Sequence, residues 1–233
     1  MKYLLAVCLI ALVAGSFAPS HAAQSPALQP GISVELVPTR NASPVPGADG
    51  EDAFIVTVTA DSSIYLGVKP ITVPQLMEKT RSTPVRRGRA LYLKADGQTP
   101  YVAVLGVLEA TDSRGMIPQV LLTNQSNSAG SSGIQPPEGL DVSVGSTIPG
   151  GTIATVVQLF PSVEERPLLR INGDETSWSA LESTLRSHFQ NGDDKTVLLR
   201  ADPRLPFADV VHAVDGCRAA GAKVYPAAPG NRL

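Results

Sequence analysis

Residues 91–104, LYLKADGQTPYVAV, return with small changes at residues 197–210, VLLRADPRLPFADV. The register is 202 − 96 = 106, and no gap is needed across the stretch. At that shift Leu93 matches Leu199, Asp96 matches Asp202, Pro100 matches Pro206, Val104 matches Val210 and Gly115 matches Gly221. Lys94/Arg200 and Tyr101/Phe207 are conservative pairs. A phrase repeated at fixed spacing points to a duplicated structural unit, and it has to be settled before any fold is assigned.

Each copy has the same physical grammar. Leu91 and Leu93, like Val197 and Leu199, sit in short apolar runs of strand type. Asp96 and Asp202 follow, at a corner where an aspartate side chain bonds the backbone N–H groups of the next turn. Pro100 and Pro206 suit the first helical turn, and Thr99 is a candidate N-cap. Tyr101, Val104, Leu105 and Leu108 form one helical stripe; Phe207, Val210, Val211, Val214 and Cys217 form the other. Gly115 and Gly221 fall where a left-handed glycine ends a helix. MIPQVLLT then reads as a closing strand in the first unit and the shorter AKVYPA, interrupted by Pro226, in the second.

Upstream in the first unit, Phe54 to Thr59 and Ile64 to Leu66 flank the turn Asp61-Ser62-Ser63 as a hairpin. TVPQLMEKTRS follows as a helix capped by Thr72. In the second unit Asn172-Gly173 is a strong turn, and Trp178, Leu181, Leu185 and Phe189 give an amphipathic helix. The second arm of that hairpin reads as short or missing. Between the units NQSNSAGSSGIQPPEG, residues 124–139, has a linker composition. The fold class is α+β: two tandem two-layer domains, each a small mixed sheet with helices on one face. The expected organisation is a signal segment at 1–22, a first domain at 23–123, a linker at 124–149 and a second domain at 150–233.

The N-terminal segment has Lys2, an apolar run and then Ser20-His21-Ala22, small residues at −3 and −1 of a signal-peptidase site. Export to the periplasm follows; an uncleaved inner-membrane anchor is the alternative. Cleavage leaves Cys217 as the only cysteine, so no internal disulfide can form. The net charge of −2 across 233 residues gives no basis for a nucleic-acid partner.

The ordered set Thr59-Ala60-Asp61, Ile64-Tyr65-Leu66-Gly67, Leu93-Lys94-Ala95-Asp96, Pro100-Tyr101, Gly115 and Val120-Leu121-Leu122-Thr123 resembles the periplasmic domain of the ExbD/TolR family of biopolymer transport proteins. The resemblance covers most of residues 31–124 and, more weakly, 166–225. It implies a non-enzymatic subunit that works with ExbB/ExbD or TolQ/TolR motor subunits, with a TonB/TolA-like protein or peptidoglycan as partner, and with no cofactor. Two departures stand out. The apolar N-terminal segment holds no Asp or Glu, the first acidic residue being Glu35, and an intramembrane carboxylate is what a proton relay requires. The domain plan is also doubled.

Among other residues, Arg86, Arg87 and Arg89 form a basic run suited to an anionic partner. His188 and His212 lack a second ligand at metal spacing, so no metal site is expected. No phosphate loop and no G-x-S-x-G elbow is present. The expected function is an exported partner-binding envelope protein; a stand-alone peptidoglycan-binding module is the alternative, and a secreted hydrolase the minor one. The two copies are expected to dock on each other as an intramolecular pseudo-dimer, through residues 31–36 and 120–123.

Overall fold

The computed structural model describes residues 31–50, 52–82, 90–111, 119–125, 137–143, 154–190 and 195–227. The signal segment, Gly115, Arg86, Arg87 and Arg89, and most of the segment read as linker lie outside the described residues.

The chain is α+β, with two mixed sheets and four α-helices among the described residues. The first repeat runs β3 (Phe54–Val58), β4 (Ile64–Leu66), β5 (Lys69–Pro70), α1 (Val73–Ser82), β6 (Leu91–Ala95), α2 (Tyr101–Thr111) and β7 (Gln119–Gln125). The second runs β9 (Thr155–Phe160), β10 (Leu168–Ile171), β11 (Asp174–Glu175), α3 (Leu181–Gln190), β12 (Thr196–Ala201), α4 (Phe207–Ala219) and β13 (Lys223–Ala227). The two sheets share one strand order, β5-β4-β3-β6-β7 against β11-β10-β9-β12-β13. In each, a hairpin is followed by a helix, and the next two strands join the first in parallel through a βαβ crossover. Three further strands enlarge the first sheet: β8 (Glu138–Val142) pairs antiparallel with β7, β2 (Ser43–Pro44) with β8, and β1 (Pro38–Thr39) parallel with the end of β7.

Sequence logic accounts for most of these elements. β6 alternates buried and half-buried residues, as a strand covered by helices on one face does. The hairpin turn is made by Asp61, whose carboxylate accepts from Ser63 N and from the Thr59 and Ser63 hydroxyls, and Ser62 takes φ 67°. Helix α1 opens on a reciprocal cap: Thr72 N donates to Gln75 Oε1 at 2.9 Å and Gln75 N to Thr72 Oγ1 at 3.4 Å. Gly221, at φ 80°, ends α4 as expected of a C′ glycine, with Gly221 N bonded to Arg218 O and Ala222 N to Cys217 O. Gln119 ties the start of β7 to the end of α2, its Nε2 donating to Leu108 O at 3.1 Å and Thr111 Oγ1 at 2.7 Å.

The Asn172-Gly173 turn joins β10 to the two-residue β11, the short second arm read from the sequence, while β10 has a further antiparallel partner, β9, that the sequence reading did not name; three other expectations are corrected. Residues 124–125 and 138–142, assigned to the linker by composition, belong to β7 and β8 of the first sheet. The segment 31–36 is not a strand; regular pairing begins at Pro38. Pro100 and Pro206 stand just ahead of their helices, Pro206 in extended conformation at the N-cap of α4.

One buried apolar cluster contains side chains of both repeats, among them Val56, Leu93, Tyr101 and Leu108 from the first and Val157, Leu199, Phe207 and Val214 from the second. Helices α2 and α4 are buried over most of their circumference because each faces its own sheet, its neighbour helix and the other repeat.

Candidate functional site

The repeated phrase is where the two halves meet. Pro100 and Pro206 face each other in an isolated antiparallel bridge. Tyr101 N donates to Leu205 O at 2.9 Å, and its twin Phe207 N donates to Thr99 O at 2.8 Å. Val102 N donates to Pro203 O at 2.9 Å, and its twin Ala208 N to Gly97 O at 2.9 Å. The donors and acceptors of the two pairs exchange under the 106-residue shift, so a local two-fold relates the copies. The first N–H groups of a helix have no partner within it. Here each repeat satisfies the other's, which replaces the side-chain cap that α4 lacks. Thr99 is therefore not the N-cap of α2: its buried hydroxyl donates to Thr59 O at 2.8 Å. Gly97 permits the approach, since a Cβ there would stand 3.2 Å from Val37 Cγ2 and 3.5 Å from Ala208 Cβ.

Asp96 and Asp202 build the two loops that carry these carbonyls. Asp96 Oδ1 accepts from Gln98 N and Asp202 Oδ1 from Arg204 N, both at 3.0 Å. Asp96 Oδ2 also accepts from Glu35 N, whereas Asp202 takes the Arg204 guanidinium, which holds its carboxyl below the usual range. Residues 120–123 lie in β7, inside the first sheet between β6 and β8, so they offer no free strand edge to the second sheet, while Leu121 belongs to the buried cluster that holds side chains of both halves. The segment 35–41 does reach across: Gly97 N donates to Glu35 O, and Arg40 N and Asn41 N both donate to the Asp215 carboxylate of α4, at 3.1 and 2.8 Å. A second seam joins the sheets where Ser143 N meets Val224 O at 2.9 Å.

Beside this junction lies a cleft of about 630 Å³ between α3, α4 and the crossing segment 38–41. Arg166 stands over the Trp178 indole, 5.4 Å from its centroid, and Trp178 Nε1 is held by Pro167 O at 2.8 Å. Half-buried His212 lines the floor; burial, and then the charge of Arg166, push its pKa below the ordinary value. Burial raises the neighbouring Asp209 carboxyl. Arg186 is committed to Glu182 Oε1 and Ala219 O, both at 2.7 Å.

The cleft escaped the sequence reading of functional residues. Arg40, Arg166, Trp178 and His212 are far apart in the chain, and the one available signal was the place where the second copy departs from the first, His212 standing where Gly106 does. His188, the other candidate histidine, is exposed on α3. Cys217 is fully buried and its thiol is pushed up to about 12. Among the described residues no group of three His, Cys, Asp or Glu side chains is arranged to hold a metal, and no helix is long and apolar enough to cross a membrane.

Residues 118–226 match the family model described as Biopolymer transport protein ExbD/TolR. The match starts at β7, takes in β8 and the second repeat and ends within β13. The match is to the family whose resemblance the sequence carries, and it lies mainly on the second copy, where that resemblance is the weaker. No curated protein and no solved structure matches the chain.

Proposed function

We propose that this chain is an exported, non-enzymatic ExbD/TolR-like protein of the bacterial envelope that binds other components of a proton-driven biopolymer transport system. The carrying observation is the family match over residues 118–226, which associates that part of the chain with biopolymer transport. The common strand order of the two repeats supports reading the first as a second, divergent copy of the same domain plan. The N-terminal segment, with Lys2 and Ser20-His21-Ala22, supports delivery to the periplasm.

In this role the protein supplies a binding surface and not proton coupling, since its apolar N-terminal segment carries no carboxylate. Its partners are ExbB/ExbD- or TolQ/TolR-type subunits or a TonB/TolA-like protein. Affinity capture of the tagged protein from detergent-solubilised envelopes tests this: recovery of motor subunits is expected. Their absence, together with co-sedimentation of the purified protein with isolated sacculi, would replace it by the peptidoglycan-binding reading, which the basic run at Arg86, Arg87 and Arg89 favours.

A further inference from the structure

In the first repeat the opening residue of α1, Val73, lands on Gly106 of α2, with Val73 Cγ2 4.0 Å from where a Cβ would be. In the second repeat the opening residue of α3, Leu181, lands instead on Gly216 of α4, whose Cβ would stand 2.6 Å from Leu181 Cδ2. The residue equivalent to Gly106 is His212 (106 + 106), which lines the cleft together with Trp178 and Ser179. The cleft beside His212 measures about 630 Å³, within the range of ordinary small-ligand sites.

The chemistry of the walls narrows the occupant. Three guanidiniums line the cleft, on Arg40, Arg166 and Arg186, with two carboxylates, on Glu182 and Asp215. Glu182 is neutralised by Arg186 at 2.7 Å. Asp215 is saturated by Arg40 N, Asn41 N and Asn41 Nδ2 at 3.1, 2.8 and 3.1 Å. Among the described residues neither the Arg40 nor the Arg166 side chain makes an ion pair. The walls thus carry one net positive charge, which matches a single negative charge better than a dianion. A guanidinium fork binds a carboxylate through two parallel hydrogen bonds, and the half-buried indole of Trp178 offers an apolar surface beside it.

We infer that this cleft binds the free carboxylate of a short peptide, with Arg166 as the main anchor and Trp178 against the residue that bears it. The inference is independent of whether the protein engages a motor. Trp178 is the only tryptophan of the chain, so intrinsic fluorescence reports on the cleft directly.

The test is a fluorescence titration of the whole protein with N-acetyl-alanyl-alanine, its C-terminal carboxamide and inorganic phosphate, backed by calorimetry. A saturable response to the free carboxylate alone is expected. Arg166→Gln should weaken it about tenfold, the effect of losing one charge-assisted contact. Arg166→Lys should fall between, and the remote substitution Lys79→Gln should leave binding unchanged. The inference is overturned by no saturation up to about 10 mM, by equal binding of the carboxamide, by tighter binding of phosphate, or by an Arg166→Gln protein that folds as the parent does and binds as well.

Discussion

Tyr101 is the position at which the two copies can be set against each other in a single substitution. Its side chain is fully buried, and its hydroxyl has no hydrogen-bond partner. Burial, with a smaller contribution from the charge of Glu109, drives the phenol well above its ordinary pKa, so the group stays neutral and uncompensated. Its twin in the second repeat, Phe207, occupies the same place in the local two-fold without a hydroxyl and is equally buried. A buried hydroxyl without a partner costs roughly 1–3 kcal/mol. Tyr101→Phe removes that cost and leaves only the void of one oxygen atom, so a gain of about 1 kcal/mol is expected. With urea slopes of about 1–3 kcal/mol/M, the unfolding midpoint should rise by roughly 0.3–1 M. The mirror substitution Phe207→Tyr should lose about 1–3 kcal/mol, because it adds an unpartnered hydroxyl to a filled core. Urea unfolding followed by circular dichroism measures both. A Tyr101→Phe protein destabilised by more than about 1 kcal/mol would mean that the hydroxyl is bonded, and it would refute the equivalence of the two positions.

Cys217 should be inert in the native protein, because a thiol with no exposed surface and a pKa raised to about 12 presents no thiolate at neutral pH; the chain expressed from Ala23 should take up iodoacetamide only once unfolded, and rapid native labelling would contradict the packing of α4. His212 should make the protein acid-sensitive. Its folded pKa lies below the ordinary imidazole value of 6.5, so at pH well above 6.5 it is neutral in both states and has no effect. Below 6.5 the unfolded chain binds the proton more readily, and stability falls until the pH passes the folded pKa. Replacing it by Gln should flatten that part of the profile between pH 7.5 and 5 in urea midpoints, apart from the Asp61 and Asp202 carboxyls, whose lowered pKa values act only in more acid solution. An unchanged slope would mean that His212 is solvated.

The architecture was legible wherever one local rule decided an element. The strands β6 and β12, the stripes of α2 and α4, the Asp61 turn, the Thr72 cap and the Gly221 terminus each follow from a few adjacent residues. What escaped depended on partners that the adjacent residues do not announce. β9 alternates cleanly, yet it sits eight residues from its partner β10 and was masked by the stronger Asn172-Gly173 signal, which serves the short β11. β8 has an unremarkable composition and is a strand because β7 offers it an edge. Thr99 looked like a cap because nothing in the sequence says that the carbonyls of residues 203 and 205 will be there first. The cleft was hidden for the same reason, as Arg40 and Asp215 come together from opposite ends of the fold.

The reciprocal pairing also bears on why one chain holds both copies. Each of the four junction bonds replaces water at a helix N-terminus and is worth about 1 kcal/mol net, too little to hold free domains together at low concentration. Joining the copies in one chain turns that association into an intramolecular event at an effective concentration of order millimolar, and the shared apolar core then adds burial that neither half has alone. Once locked in this way the copies no longer have to remain alike. The first has Gly106 under Val73, where the second has His212 lining the cleft. In a dimer of identical chains any such change would be imposed on both halves of the two-fold; in one chain that holds both halves it falls on one, as His212 does.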